Sequence, residues 1–117
     1  MIEPNKQKVE ILMHTGPARY IDGDVTLCQL LIDGKHEMTG SVTPTAVYTI
    51  AKAMGERGVN GATIIYGERY DEQSGQRVAA PNPEHLRDID VGLGHILKKT
   101  YRIDATIEKR DSNLPRE

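Results

Sequence analysis

Phenylalanine and tryptophan are absent from this 117-residue chain, and five tyrosines make up its whole aromatic complement. A hydrophobic core must therefore be aliphatic, with tyrosines at its margins. Cysteine occurs once, as Cys28, which excludes an internal disulfide and a cysteine-based metal cluster and suits a reducing compartment. No lysine or arginine run offers a nucleic-acid stripe, and the formal net charge is only −2. No window approaches the ~20 apolar residues of a membrane span. The opening MIEPNKQK has no apolar signal core. These absences lead to the expectation of a cytoplasmic chain with neither nucleic acid nor membrane as partner. Catalytic signatures are missing too. There is no Gly-x-Ser-x-Gly elbow, P-loop or dinucleotide fingerprint, and Gly92-x-Gly94 falls inside a helical pattern, not at its start. His14, His36, His85 and His95 show no metal-ligand spacing, so no metal and no cofactor are expected.

What is present suits one soluble domain over residues 1–109, followed by a polar tail at 110–117. Its organising stretch is TPTAVYTIAKAMGERGVNGATIIYG, from Thr43 to Gly67. Thr43 reads as an N-cap with Pro44 at the first helical position. Val47, Ile50, Ala51 and Met54 recur at helical spacing. Gly58 can end the helix in a left-handed conformation, Asn60-Gly61 makes a second turn, and Ala62 to Tyr66 reads as a strand.

Before this stretch, Val9 to His14 and Val25 to Ile32 read as strands, the second apolar enough to be covered on both faces. Asp22-Gly23 and Asp33-Gly34 are hairpin dipeptides, and His36 to Val42 pairs back to complete a β-meander. After it, the polar Gly67 to Arg77 reads as a long hairpin tip that joins the Ala62 strand to a short strand at Val78 to Ala80. Asn82 and Pro83 open a second helix with Leu86, Ile89, Leu93, Ile96 and Leu97 on its apolar face, Gly92 and Gly94 marking close packing or a kink, and Lys98 and Lys99 in its last turn. Tyr101 to Lys109 alternates as a half-buried strand with Arg102, Asp104, Thr106 and Glu108 on its wet face. From His36 onward the order is strand, helix, strand, strand, helix, strand. The expected fold is α+β and ferredoxin-like: an antiparallel sheet with two helices on one face, preceded by the meander.

The run Gly58-Val59-Asn60-Gly61-Ala62-Thr63-Ile64-Ile65, after a helix opened by Val42-Thr43-Pro44, resembles the PII-like superfamily of small signalling proteins. The resemblance covers residues 40–80, and the element order extends it to 109. It implies homo-oligomers, trimers above all, that bind adenine nucleotides or other small effectors in clefts between subunits. By position it would place Gly61 and Thr63 in such a cleft and make the loop from Gly67 to Arg77 effector-sensing. The chain departs from the family after the second helix: Lys98-Lys99-Thr100-Tyr101-Arg102 stands where a glycine-rich, lysine-bearing loop is usual. Side-chain cations would then have to replace a backbone phosphate cradle.

The residues themselves offer one anion-recognising set: Arg69 and Arg77 flanking the long loop, with Lys98, Lys99 and Arg102 at the end of the second helix. Tyr70 adds a stacking face. Lys98 and Lys99 already have a structural reason at a helix C-terminus. His14, at a strand end before Thr15-Gly16-Pro17, is the one general-base candidate, against the plainer reading of a partly buried histidine. The leading expectation is a non-enzymatic protein, dimer or trimer, that senses or sequesters a small nucleotide-like or anionic ligand through Gly61, Thr63, Arg69, Tyr70, Arg77, Lys98, Lys99 and Arg102. Two alternatives stand beside it. One is a small accessory or inhibitor protein, viral origin included, that docks on a larger partner. The other is a ferredoxin-fold enzyme using His14.

Overall fold

The computed structural model describes residues 7–17, 24–80 and 86–109. Its first strand, β1 (Val9–Pro17), is the centre of the molecule. Val9 to His14 are all buried, so both faces of β1 are covered, which the apolar run ILM already demands. β2 (Asp24–Ile32) pairs antiparallel with β1, and the Asp33-Gly34 turn returns the chain into β3 (Lys35–Ser41). Both turn residues have positive φ, 53° and 82°, as a two-residue hairpin turn requires. The expected Asp22-Gly23 turn, the Asn82-Pro83 helix start and His85 lie outside the described residues.

Helix α1 (Pro44–Glu56) starts as its sequence indicates: the Thr43 hydroxyl accepts from the Ala46 N–H at 3.2 Å. It ends at Gly58, whose φ of 68° lets the Val59 N–H reach the Met54 carbonyl. The chain then enters β4 (Gly61–Tyr66), β5 (Glu68–Asp71), β6 (Gln76–Ala79), α2 (Leu86–Tyr101) and β7 (Asp104–Lys109).

The five-stranded sheet has the order β3-β2-β1-β4-β7. It is mixed: β4 runs parallel to β1, and β7 runs parallel to β4. The antiparallel sheet expected from element order is thus realised only in the meander β1–β2–β3. The remaining long strands are joined by two crossovers that carry α1 and α2. Both crossovers step the same way across the sheet, and right-handed connections then put both helices on one face, as expected. On that face Ile11, Met13, Leu30, Ile64 and Ala62 meet Val47, Ile50 and Met54 of α1 and Leu93 and Leu97 of α2.

Four further expectations are corrected. The segment after β4 does not extend the sheet. Gly67, with φ 105°, turns the chain back, and β5–β6 forms a separate two-stranded ribbon. Asn60-Gly61 makes no positive-φ turn; Gly61 opens β4 beside Asp104, and the Asn60 carbonyl accepts from the Asp104 N–H at 2.9 Å. Tyr101 closes α2 instead of opening a strand, because Arg102 adopts a left-handed φ of 58° and its N–H bonds the Lys98 carbonyl at 3.1 Å. Ile96 is exposed while Leu93 and Leu97 are buried, so the apolar face of α2 is narrower than its sequence suggests.

Candidate functional site

The face of the sheet opposite the helices carries a small apolar cluster, Leu12, Leu31 and Ile65, under Tyr70 of the ribbon. Polar groups do most of the fastening there. Gln29 stands inside the apolar run VTLCQLLI, and its side-chain amide treats Tyr70 as a neighbouring strand would. Its Nε2 donates to the Tyr70 carbonyl at 2.9 Å, and its Oε1 accepts from the Tyr70 N–H at 2.7 Å. A β-bulge supplies a second fastening. Leu30 pairs with Met38 but Leu31 pairs with His36, so Glu37 is the extra residue. The bulge puts His36 on the same face as Thr39, where its ring stacks on Tyr70 with centroids 5.0 Å apart and planes within 2°. His36 Nε2 lies 2.6 Å from the Thr39 hydroxyl, and Nδ1 lies 3.7 Å from Glu72.

The third fastening is ionic. Glu10 is 2 % exposed and Glu68 is also buried. Arg77 reaches from β6 to both, at 2.8 Å to Glu10 and 2.5 Å to Glu68. One guanidinium thus joins β1, β5 and β6, with the Lys8 ammonium 3.8 Å from the second Glu10 oxygen.

These fastenings hold the ribbon away from the carboxyl end of β1 and leave a cleft of about 530 Å³. Its lining includes His14, Thr15 and Thr39 from the sheet and Arg69, Tyr70 and Glu72 from the ribbon. The position is the one where open sheets with parallel strands commonly bind ligands. His14 is only 6 % exposed. Burial, helped by the Arg69 charge, lowers its pKa from 6.5 to about 4, so the imidazole is neutral at physiological pH. Its Nδ1 and the Thr15 hydroxyl are both buried and have no hydrogen-bond partner among the described residues. Asp71 is committed to the ribbon tip: the Ser74 hydroxyl, then the Gln73 and Ser74 N–H groups and Arg69, hold its carboxyl below the ordinary value.

The expected set divides in four. Arg69 and Tyr70 line the cleft. Arg77 belongs to the buried ionic junction. Gly61, Lys98, Lys99 and Arg102 gather at the opposite, amino-terminal end of β4 and β7, where Lys98 lies 3.7 Å from Asp104. Thr63 sits between the two ends, opposite Glu10. The residues missed were Gln29, His36 and Thr39, together with Glu10 and Glu68 beneath the ribbon. Gln29 and Glu10 did carry a signal, each being a polar residue inside a run buried on both faces. Cys28 is a core thiol, raised by burial to about 11, with Sγ 3.5 Å from the Gly40 carbonyl. No group of His, Cys, Asp and Glu among the described residues could hold a metal ion. No helix among them is long and apolar enough to cross a membrane. A smaller apolar pocket of about 200 Å³ lies between Pro44, Val47, Ile96 and Tyr101. Comparison with protein-family models, curated proteins and solved structures gives no match.

Proposed function

We propose that this chain is a non-enzymatic, cytoplasmic binding protein whose cleft at the carboxyl end of β1 takes a small polar ligand bearing an anionic group, of nucleotide-like size. The observation that carries this is the pair of buried, unpartnered polar atoms, His14 Nδ1 and Thr15 Oγ1, at a cleft of ligand size beside the cation of Arg69. A buried polar group without a partner costs about 1–3 kcal/mol, which a ligand supplying the missing hydrogen bond recovers. Arg69 would receive the anionic group, Tyr70 would present its ring, and Thr39 and Glu72 would meet donors or hydroxyls of the ligand. The PII-like resemblance adds nothing to this cleft, since Gly61 lies five residues along β4 from Tyr66, the strand partner of Met13.

The test is a thermal-shift screen against mononucleotides, cyclic nucleotides, inorganic phosphate and small dicarboxylates, repeated on Arg69→Gln and His14→Asn. A binder raises the melting temperature in proportion to RT ln(1 + [L]/Kd). The shift should disappear in both variants while their far-ultraviolet spectra stay native. A flat screen on stable protein, or a shift untouched by both variants, removes the proposal. Catalysis by His14 is the second reading, favoured by its neutral imidazole. It ranks lower because no carboxylate among the described residues orients the ring, and a general base with pKa near 4 is weak at neutral pH.

A further inference from the structure

The two edges of the sheet are built differently. β3 is interrupted by its bulge, Glu37 on it is held 2.7 Å from Arg57, and the ribbon tip reaches it through Glu72 and His36. Those are the devices that keep an edge strand from pairing further. β7 also carries a charge contact, Lys98 at 3.7 Å from Asp104, but it has no bulge: it pairs with β4 residue for residue from Asp104 to Lys109, with no register shift. Ile107, at 39 %, is one of three large hydrophobic side chains exposed among the described residues, and it sits on this edge.

We propose that β7 pairs antiparallel with β7 of a second copy of this chain, about a twofold axis at Ile107. Two antiparallel edges related by a twofold axis normal to the sheet meet with like faces on the same side. Residues directly opposite must therefore have numbers of equal parity. Centring on Thr106 would oppose Asp104 to Glu108 of the second copy, a like-charge pair. Centring on Ile107 opposes Ile107 to itself, Thr106 to Glu108 and Ala105 to Lys109. This register covers the exposed isoleucine and sets no like charges face to face. The product is a closed dimer with one continuous sheet, because the protected β3 edges at its two ends stop further growth. The ligand cleft, over β1 to β3, is left open, so dimerisation and ligand binding stand independently.

Five residues of edge pairing from each copy make a small interface, so association in roughly the micromolar range is expected. Sedimentation of the full chain over roughly 1–300 µM should show a concentration-dependent rise from 13.0 kDa to twice that mass. Ile107→Lys should raise the dissociation constant at least roughly tenfold and leave thermal stability at low concentration unchanged. Ile107→Cys should crosslink as a symmetric dimer under mild oxidation, while Lys35→Cys on β3 should not. A chain that stays at 13.0 kDa throughout overturns the proposal. So does a dimer indifferent to Ile107→Lys, and so does crosslinking through Lys35→Cys but not Ile107→Cys.

Discussion

The two faces of the sheet are held by different physics. On the helix side Leu30, Ile50, Met54, Ile64 and Leu97 are fully buried against one another, and contact is non-directional. On the ribbon side three aliphatic residues and Tyr70 make the whole apolar cluster, and position is set by one amide, one stacked histidine and one arginine shared by two carboxylates. An apolar interface tolerates repacking, whereas a polar one has a single arrangement in which every group is paired. That rigidity is what keeps the cleft beside His14 open. The difference also predicts how each side fails.

The largest effect belongs to Arg77→Met. It leaves Glu10 and Glu68 buried without their shared cation and should cost about 3–5 kcal/mol in urea unfolding. Combining it with Glu10→Gln and Glu68→Gln should restore most of that loss, because the penalty lies in the stranded charges. A helix-side cavity such as Leu30→Ala costs a similar 2–5 kcal/mol but has no such polar rescue. If Arg77→Met costs under about 1 kcal/mol, the two faces do not differ in the way described.

His14 gives the ribbon side a pH dependence. In the folded chain its ring takes a proton only near pH 4, whereas an unfolded imidazole takes one near 6.5. Between those values the unfolded state binds more protons. The stabilisation is therefore complete above about pH 6.5 and falls by up to about 1.4 kcal/mol per unit as pH drops towards 4. His14→Gln should flatten this window in a pH series of urea midpoints. A wild-type curve that is already flat there would mean the ring is solvated.

Gln29→Leu comes next, at about 2 kcal/mol, because it leaves the Tyr70 N–H and carbonyl without their partner. Its loss should be local. Amide exchange at Tyr70 and its ribbon neighbours should accelerate well before exchange in β1 and β4 does. Uniform acceleration across the sheet would show that the ribbon and the core unfold together.

How much of this was legible in the sequence follows from the range of the forces. The Thr43 cap, the Gly58 terminus and the Asp33-Gly34 turn are each decided within a few residues, and each is where the residues indicated. Strand pairing is not local. Val-Glu-Ile-Leu-Met-His says that β1 is buried, but not that β4 will lie parallel to it 53 positions later, as Ile11 beside Ile64 shows after rounding the intervening meander and helix. The cleft was half legible for the same reason. Arg69 and Tyr70 stood out on a polar loop, and His14 at a strand end. The groups that place them, Gln29 and a bulge at Glu37, reveal their role only once the ribbon crosses the sheet.

The smallest expected effect tests the helix side, at two glycines of α2 that share one propensity cost and differ in surroundings. A β-carbon on Gly92 would meet no atom within 4 Å, whereas one on Gly94 would come to 3.5 Å from the Ala105 β-carbon and 3.7 Å from Ile64 Cδ1. Both are ordinary van der Waals distances, so close packing demands a glycine at neither position. Gly92→Ala should raise stability by roughly 0.5–1 kcal/mol, the usual gain from removing a mid-helix glycine. Gly94→Ala starts from the same gain and adds an ordinary apolar contact between α2 and the sheet, so it should yield at least as much. Both changes leave the cleft untouched, and ligand-induced shifts should be equal in the two variants. If Gly94→Ala proves the less stabilising, α2 is seated more tightly on β4 and β7 than those distances imply, and the helix face would owe more to fit than to burial alone.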